Sequence, residues 1–411
     1  MKALTKTLLP VLAAFVLSGC LKDKMTRTYT IFTPVYKNKQ DVLREVASKP
    51  ARSIETPGKI YVYGNYLFVN EINKGVHVID NSNPSNPVNR SFINIPGNLD
   101  IAVKGNTLFA DIYRDILAID ISDPLAASIT SISAEVFPDR NAGNLFYFVP
   151  DTSRYIVDWM KKDTTVPYSD AFECRGCLAY NTTPLASSAA PTVGIAGSMS
   201  RFSVVNNYLY TVNTSMLQSF NINNPASPVK VKDVLLRRGG IETIYPFADK
   251  LFIGSTSGMF IYDISDPASP VYVSMFSHAM TCDPVITDGD YAYVTLRAST
   301  VCGTTVNSQL NVLDIKQIES PKLIGRYDMS SPYGLGKDGN LLWICDGGAG
   351  LKMFDASDPG SIKLTKTVAG IEPYDVIPYN GKLIVSAKEG IIQYDYSHSG
   401  QLTELSRLKK N

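Results

Sequence analysis

A short segment that recurs along the chain constrains its fold more than any other feature. It is clearest in Gly258–Val271, where an apolar strand ends at Asp263, a turn follows, and a second alternating run begins at Val271. Asp and Ser favour such a turn because their side chains bond to backbone N–H groups, and Pro fixes φ. Further copies end at Asp80, Asp120, Asn221, Asp314, Asp355 and Asp395. The chain is therefore a repeat protein.

The spacing of these marker residues predicts the architecture. Successive markers are 40, 101, 42, 51, 41 and 40 residues apart. A unit of 40 to 42 residues without helical periodicity is typical of a four-stranded β-propeller blade. The spacing of 101 contains one degenerate unit, Val136–Trp159, and an insertion; the spacing of 51 contains a shorter insertion. The fold class is therefore predicted as all-β, a propeller with mostly four-stranded blades. Eight blades are favoured, and seven stay open if the degenerate unit only pads a neighbour.

The repeated strand and turn also resemble a known family. The copies that carry an apolar strand ending in Asp, followed by Ser-Asp-Pro or Ser-Asn-Pro, include Val76–Asp80, Ile116–Asp120 and Met259–Asp263. In these residues the chain resembles the LVIVD-repeat family of bacterial propellers. The copy ending at Asp314 departs from the turn, since Ile315–Gln317 replaces Ser-Asp-Pro. The resemblance implies a propeller fold and an exported setting. It implies no reaction, because propellers host both binding and chemistry.

The N-terminus predicts where the protein is located. A basic start, Met1–Lys6, precedes an apolar run, Leu8–Leu17, that is too short to span a bilayer. Leu17–Cys20 resembles the lipobox of bacterial lipoproteins, in which cleavage before the Cys leaves that residue lipidated; an ordinary cleaved signal is the alternative. We therefore expect an outer-membrane lipoprotein of the bacterial cell envelope, periplasmic or surface-exposed, held in the membrane through Cys20. The expected division is a signal peptide at 1–19, a lipidated tether at 20–56, and a propeller at 57–411 with an insertion at 161–198.

Composition and scattered motifs exclude several functions. The net charge is +1, with 39 basic and 38 acidic side chains. The sequence therefore predicts no overall electrostatic attraction for nucleic acid. The three histidines are far apart in sequence, and no glycine-rich loop precedes a helix. We therefore expect a monomer without a metal or cofactor, and the sequence favours a role other than catalysis.

The cysteines favour disulfides. Cys174 and Cys177 have the spacing of a redox or zinc half-site, but the insertion supplies neither further ligands nor a βαβ context. A disulfide or loop staple is therefore the favoured reading. Cys282 precedes the inner strand of one unit, and Cys302 lies in the loop between its second and third strands. Both positions lie at one end of a blade, so we predict a Cys282–Cys302 disulfide. Cys345 lies within a strand and is expected to be buried and reduced.

A candidate site emerges when the inner strands are aligned on their hairpins. Charged and tyrosine residues fall at the starts of these strands, where propeller blades converge on a central channel. They are Asp100, Arg201, Glu242, Asp283, Tyr333, Tyr374 and Asp375. Such a ring suits a polar ligand or a protein loop, although charges that merely pair with one another at a solvated mouth would give the same pattern.

Two functions stay open at this point. The first is a lipid-anchored binding or scaffold module for a protein or glycan partner. The second is an exported polysaccharide hydrolase or lyase that uses channel carboxylates as acid and base. A pair of carboxylates converging on one substrate bond would distinguish the second from the first.

Overall fold

Seven antiparallel sheets of consecutive strands form the blades in the computed structural model. The structure describes residues 26–138, 140, 151–167, 200–236, 240–278, 284–298, 307–397 and 401–410. Each blade has four strands, numbered from the inside outwards, and a fifth short strand extends the first blade.

The bounds of the elements are as follows. Before the blades lie β1 (Thr26–Asn38), α1 (Lys39–Arg44) and β2 (Ala47–Pro50). Blade 1 contains β3 (Pro57–Tyr63), β4 (Tyr66–Glu71), β5 (Gly75–Asp80) and β6 (Val88–Asn94); blade 2 contains β7 (Ile101–Lys104), β8 (Thr107–Ile112), β9 (Asp115–Asp120) and β10 (Ser128–Ser133), and β11 (Arg154–Pro167) follows it. Blade 3 contains β12 (Phe202–Val205), β13 (Tyr208–Val212), β14 (Met216–Asn221) and β15 (Val229–Leu235); blade 4 contains β16 (Ile241–Phe247), β17 (Lys250–Ser255), β18 (Gly258–Asp263) and β19 (Val271–Ser277). Blade 5 contains β20 (Val285–Thr287), β21 (Tyr291–Leu296), β22 (Gln309–Asp314) and β23 (Lys322–Asp328). Blade 6 contains β24 (Leu335–Asp338), β25 (Leu341–Cys345), a 3₁₀ turn (Gly347–Ala349), β26 (Leu351–Asp355) and β27 (Lys363–Val368); blade 7 contains β28 (Pro373–Tyr379), β29 (Lys382–Ala387), β30 (Gly390–Asp395) and β31 (Thr403–Lys409).

The marker residue makes the same hydrogen bond in every blade, in which its side-chain oxygen accepts from the backbone N–H two residues on. In blade 4, Oδ1 of Asp263 accepts a hydrogen bond from the backbone N–H of Ser265 at 2.7 Å. The residue after the marker bonds back to the first hairpin of its own blade, as Ile264 N–H does to the Asp249 carbonyl at 2.8 Å. The first bond recurs at Asp80, Asp120, Asn221, Asp314, Asp355 and Asp395, at 2.8 to 3.1 Å. Asp314 keeps the turn although its sequence lacks Ser-Asp-Pro, because the bond needs only an acceptor side chain and a backbone N–H.

Side chains close the ring between blades 7 and 1. All strands of blade 7 are consecutive in sequence, so no N-terminal strand completes it. Instead, the Asn81 and Gln393 amides bond reciprocally, with N–O distances of 3.1 and 2.7 Å. Gln393 is 1% exposed. Ile60 and Leu67 of blade 1 also pack in one apolar cluster with Ile384 of blade 7.

The preference for eight blades was wrong, and the seven-blade alternative is correct. The predicted third unit, Val136–Trp159, contributes no blade to the part of the chain that the structure describes. Its alternating run after Tyr155 does form a strand, β11, but β11 pairs with β1 in a two-stranded ribbon. Alternation predicts a strand and does not identify its hydrogen-bonding partner.

The described part of the predicted tether has regular structure. Residue Asn38 caps α1 by accepting a hydrogen bond from the Gln40 N–H at 2.9 Å, and β2 pairs with β6 of blade 1. Near the start of β11, the Tyr155 hydroxyl donates to Oδ2 of buried Asp115 at 2.6 Å, and the Lys39 ammonium contacts the same oxygen. The chain between 36 and 56 is thus held against the blades.

The described residues fall into two compact units. The outer ribbon, 26–35 with 158–167, belongs to one unit, and the remaining described residues belong to the other. No helix among the described residues is long and apolar enough to cross a membrane.

Candidate functional site

The predicted ring residues lie at or just before the starts of the inner strands. Adjacent blades contact one another there: the Arg201 N–H donates to Oδ2 of Asp100 at 2.7 Å, and the Gly334 N–H donates to the Tyr374 carbonyl at 2.9 Å. Asp283 lies outside the described residues. The ring therefore joins neighbouring blades as well as lining one end of them.

Lys59 and Asp100 form the buried part of this ring. Both side chains are almost fully buried, and the Lys59 ammonium forms an ion pair with Oδ2 of Asp100. It also donates to the Ser200 hydroxyl at 3.2 Å. Burial and the positive charges of Arg201 and Arg140 lower the pKa of Lys59, and a negative charge on Asp375 opposes that shift. Oδ2 of Asp100 is therefore bonded to other groups of the protein. Its Oδ1 has no hydrogen-bond partner among the described residues.

Asp375 is the most unusual member of the ring. Its side chain is fully buried, and neither carboxyl oxygen meets a donor with hydrogen-bond geometry among the described residues. Only the Val376 N–H and the Lys59 charge lie near enough to favour the ionised form, and burial outweighs both, so the pKa of Asp375 is raised well above its usual range. A Cβ on Gly334 would lie 2.1 Å from Oδ1 of Asp375, so the carboxyl group packs directly on the blade 6 backbone.

Tyrosines form the more accessible part of the ring. Tyr333 and Tyr374 are half-buried, and their rings meet edge to face at 5.5 Å. The Arg297 guanidinium stacks 4.3 Å from the Tyr333 ring centroid. Burial and the neighbouring Glu372 carboxylate raise the pKa of Tyr374 to about 12, so its hydroxyl keeps its proton at neutral pH. We call Arg297, Tyr333 and Tyr374 the tyrosine patch.

Arg201 and Glu242 are also half-buried. The Arg201 side chain donates through Nε to the Glu242 backbone carbonyl at 3.3 Å. Burial lowers the pKa of Arg201, and the Glu242 charge opposes that shift. The predicted charges at 201 and 242 are therefore adjacent and tied to the strand backbone.

A set of buried carboxylates near the ends of the second strands was not predicted from the sequence. In blade 2, Oδ1 of Asp111 accepts the N–H groups of Leu99 and Asp100, both at 2.8 Å, and its other oxygen pairs with Arg140. In blade 6, Asp346 accepts the N–H groups of Ser330 and Ser331. Each carboxylate fixes the segment that leads into the inner strand of its own blade. An acid at the end of the second strand of a unit, or directly after that strand, is the sequence signal for them.

Glu71 has this role in blade 1 and adds the buried histidine. It accepts the Thr56 N–H at 2.5 Å, and Nε2 of His77 lies 3.0 Å from its carboxylate. The Asn89 amide bonds to both the Arg52 carbonyl and Nδ1 of His77. Because the amide nitrogen can only donate, Nδ1 accepts and Nε2 carries the proton. His77 therefore holds the segment before β3 in place.

The cysteine predictions fall mostly outside the described residues. Cys20, Cys174, Cys177, Cys282 and Cys302 all lie there, so the lipidation and both disulfides stay predictions. Cys345 is a buried free thiol, and burial raises its pKa well above the usual value.

The arrangement favours recognition over acid–base chemistry. Asp100 and Asp375 are 1% and 0% exposed, so neither carboxylate reaches a substrate without rearrangement. No cluster of three potential metal-ligating side chains occurs in the described part of the chain. Tyr333 and Tyr374, by contrast, are half-buried and offer aromatic surface, and the buried Arg297 guanidinium supports the Tyr333 ring.

Comparison with known proteins identifies the repeat and the fold. The LVIVD repeat profile matches residues 58–91 and 251–277, so the chain contains LVIVD repeats. No curated protein sequence matches the chain.

Several solved structures share the fold over most of the chain. A protein from Lactobacillus plantarum is 12% identical, with 93% of this chain and 97% of that chain covered and a TM-score of 0.56. The periplasmic gluconolactonase PpgL of Pseudomonas aeruginosa is 12% identical, with coverage of 89% and 96% and a TM-score of 0.51. BamB from Moraxella catarrhalis is 9% identical, with coverage of 88% and 99% and a TM-score of 0.50. At these identities the likeness shows the fold alone.

Proposed function

We propose that this LVIVD-repeat propeller is a lipid-anchored, exported binding module of the bacterial cell envelope, which presents the end of its blades bearing the tyrosine patch to a protein or glycan partner. The observation that carries the proposal is the contrast within the ring. Its carboxylates Asp100 and Asp375 are buried, whereas Tyr333 and Tyr374 keep accessible surface.

The chemistry of the tyrosine patch supports recognition. Tyr and Arg are enriched among the energetically dominant residues of binding interfaces, and Tyr buries much area with only two rotatable side-chain bonds. The Arg297–Tyr333 stack and the Tyr333–Tyr374 contact hold these groups in place before binding. Pre-organisation of this kind lowers the entropic cost of association.

The N-terminal sequence supports the anchor and the location. Leu17–Cys20 follows an apolar run of signal-peptide length, and the LVIVD resemblance implies an exported setting. Lipid chains on Cys20 would hold the protein in the membrane, since each buried CH₂ contributes about 0.8 kcal/mol.

A glycan array together with a surface pull-down tests the binding role. Wild-type protein is compared with Tyr374→Ala, and Tyr379→Ala is the matched control because Tyr379 lies at the opposite end of β28 and is 44% exposed. We expect Tyr374→Ala to weaken capture about tenfold or more, as for a typical aromatic hot spot, and Tyr379→Ala to leave it unchanged. Equal capture by both variants, or release of cleaved saccharides by the wild-type protein, would contradict the proposal.

A further inference from the structure

Arg297 is a buried cation that the described part of the fold does not pair with an anion. It directly follows β21 at the ring end of blade 5 and is 8% exposed. Buried Lys59 at the same end, by contrast, pairs with the carboxylate of Asp100. Among the described residues, the Arg297 guanidinium forms no ion pair or hydrogen bond, and it stacks instead on the Tyr333 ring at 4.3 Å. Because a guanidinium has five N–H donors and unmet donors in a buried place are costly, an acceptor from a bound molecule would be stabilised there.

The two tyrosines of the patch add hydroxyl groups whose hydrogen-bonding capacity is also unused. Neither the Tyr333 nor the Tyr374 hydroxyl has a hydrogen-bond partner within the ranges that the structure describes, and both rings are half-buried. The raised pKa of Tyr374, about 12, keeps the proton on its hydroxyl at neutral pH, so that this group can donate. The tyrosine patch therefore combines a cation and hydroxyl donors with aromatic surface, which suits a ligand that carries an anionic acceptor.

Hydrogen bonds between neighbouring blades hold the patch in one arrangement. Oγ1 of Thr295, two residues before Arg297 in blade 5, donates to the Tyr333 carbonyl at 2.8 Å. The Gly334 N–H, at the start of blade 6, donates to the Tyr374 carbonyl in blade 7 at 2.9 Å. Blades 5, 6 and 7 thus present a fixed surface, so binding a ligand there would order little of the protein.

The acidic residues near the patch lie on its blade 7 side. Glu372 pairs with the Lys388 ammonium at 2.8 Å, and Glu389 accepts the Glu372 N–H at 3.0 Å. Both carboxylates lie near enough to Tyr374 to act on its hydroxyl electrostatically. An anionic group of a ligand is therefore favoured at Arg297 rather than beside Tyr374.

We propose that the tyrosine patch binds a hexuronic acid residue of a glycan, with the sugar carboxylate bound by Arg297 and the sugar ring covering the tyrosines. The inference rests on the proposed function for the binding surface and adds the class of ligand. A guanidinium binds a carboxylate through two parallel N–H···O bonds, which fixes the orientation of the bound group. A hexuronic acid carries its carboxylate directly on a ring with apolar C–H groups, so one sugar residue can fill both parts of the patch. An Asp or Glu side chain of a protein partner supplies the carboxylate without a ring, so an acidic peptide fits less well.

A glycan array with matched pairs of spots tests the role of the carboxylate. Each uronate-containing glycan stands beside its carboxyl-reduced form, in which the carboxylate has become a primary alcohol. The wild-type protein should bind the uronate form at least about tenfold more tightly, and Arg297→Gln should bind both forms equally weakly. Arg326→Gln is the matched control, because Arg326 is exposed on the outer strand of the same blade and its loss removes the same charge.

Two results on the array would overturn the inference. One is equal binding of both forms by the wild-type protein; if Tyr374→Ala still weakened that binding, the proposed function would stand without the carboxylate site. The other is capture of an acidic protein that depends on Tyr374, with no uronate bound.

Saturation-transfer NMR with free D-glucuronate measures the carboxylate site without a partner. Glucuronate should give a signal with the wild-type protein that Arg297→Gln removes, and D-glucose should give a much weaker one. Arg297→Lys should keep part of the glucuronate signal, because an ammonium retains the charge but lacks the planar fork of donors. This variant also serves if Arg297→Gln does not fold. A glucuronate signal from the wild-type protein that is absent, or no stronger than that of glucose, would refute the carboxylate site whether or not the patch captures a partner.

Discussion

At the scale of single residues, the burial of Asp375 has a direct consequence for the stability of the protein. Its carboxyl group is buried, meets no donor with full hydrogen-bond geometry among the described residues, and packs on the Gly334 backbone near the Lys59 charge. An ionised carboxylate in such a place is destabilising, because its lost hydration is not replaced. The folded protein therefore favours the protonated form.

The Asp375→Asn substitution should stabilise the protein at neutral pH and above. A carboxyl whose pKa is raised on folding costs no stability below its unfolded pKa, about 4, and costs progressively more as the pH rises towards the folded value. The variant should match the wild type at pH 4 and exceed it by about 1–3 kcal/mol at pH 8. Denaturant unfolding at the two pH values measures this difference. A variant less stable than wild type at pH 8 would show that Lys59 stabilises a charged Asp375.

Sequence alignment of the hairpins predicted where the ring residues lie, and it could not predict how they pair. Position follows from strand register, which the repeat determines. Pairing depends on contacts between residues far apart in sequence, such as Asp100 with the Arg201 N–H. Charge reversal at Arg201 is consequently a poor test of binding, because it would place a carboxylate beside the Glu242 charge in a half-buried position.

At the scale of elements, the marker turns explain why the repeat could be recognised in the sequence. The side chain of Asp or Asn bonds to the backbone two residues on in all seven blades, so the requirement is local and leaves a clear sequence signal. The number of blades could not be predicted in the same way, because it depends on which strands pair with each other. Residues 154–167 alternate like a blade strand, but they pair with β1, more than a hundred residues earlier. Local pattern cannot specify so distant a partner.

The amide pair that closes the ring should be measurable as a coupling energy. Asn81→Ala removes a partner of the buried Gln393 amide, and Gln393→Ala removes the partner of the half-buried Asn81 amide, so each should cost about 1–3 kcal/mol of unfolding free energy. The double variant should cost less than the sum, with a coupling of about 1 kcal/mol or more. Gln401→Ala, at an exposed position in the loop before β31, is the control and should have little effect. Strictly additive losses would mean that the pair does not help to hold blade 7 to blade 1.

At the scale of the whole molecule, the chain combines a seven-bladed propeller with a proposed lipid anchor at Cys20. The propeller and the LVIVD repeats are established by the structure and by the profile match. The anchor is a prediction from Leu17–Cys20. The proposed function assigns attachment to the anchor and recognition to the propeller.

The Cys20→Ala substitution should abolish lipid modification and release the protein from the membrane fraction. On the proposed function the lipid chains supply the membrane affinity, so the variant should lose it. Detergent phase partitioning and mass spectrometry of the N-terminal peptide measure the effect. Unchanged partitioning of the variant would show that Cys20 is not the anchor.

Hydrogen–deuterium exchange on the captured complex tests the central claim, that the tyrosine patch is the recognition site, most directly. Partner binding should slow exchange in peptides covering 329–334 and 372–376, which carry Tyr333 and Tyr374, because bound partner excludes water from their backbone amides. Exchange in the exposed outer strand 229–235 should be unchanged. Protection confined to that outer strand or to the ribbon, with no change at 329–334 and 372–376, would contradict the account.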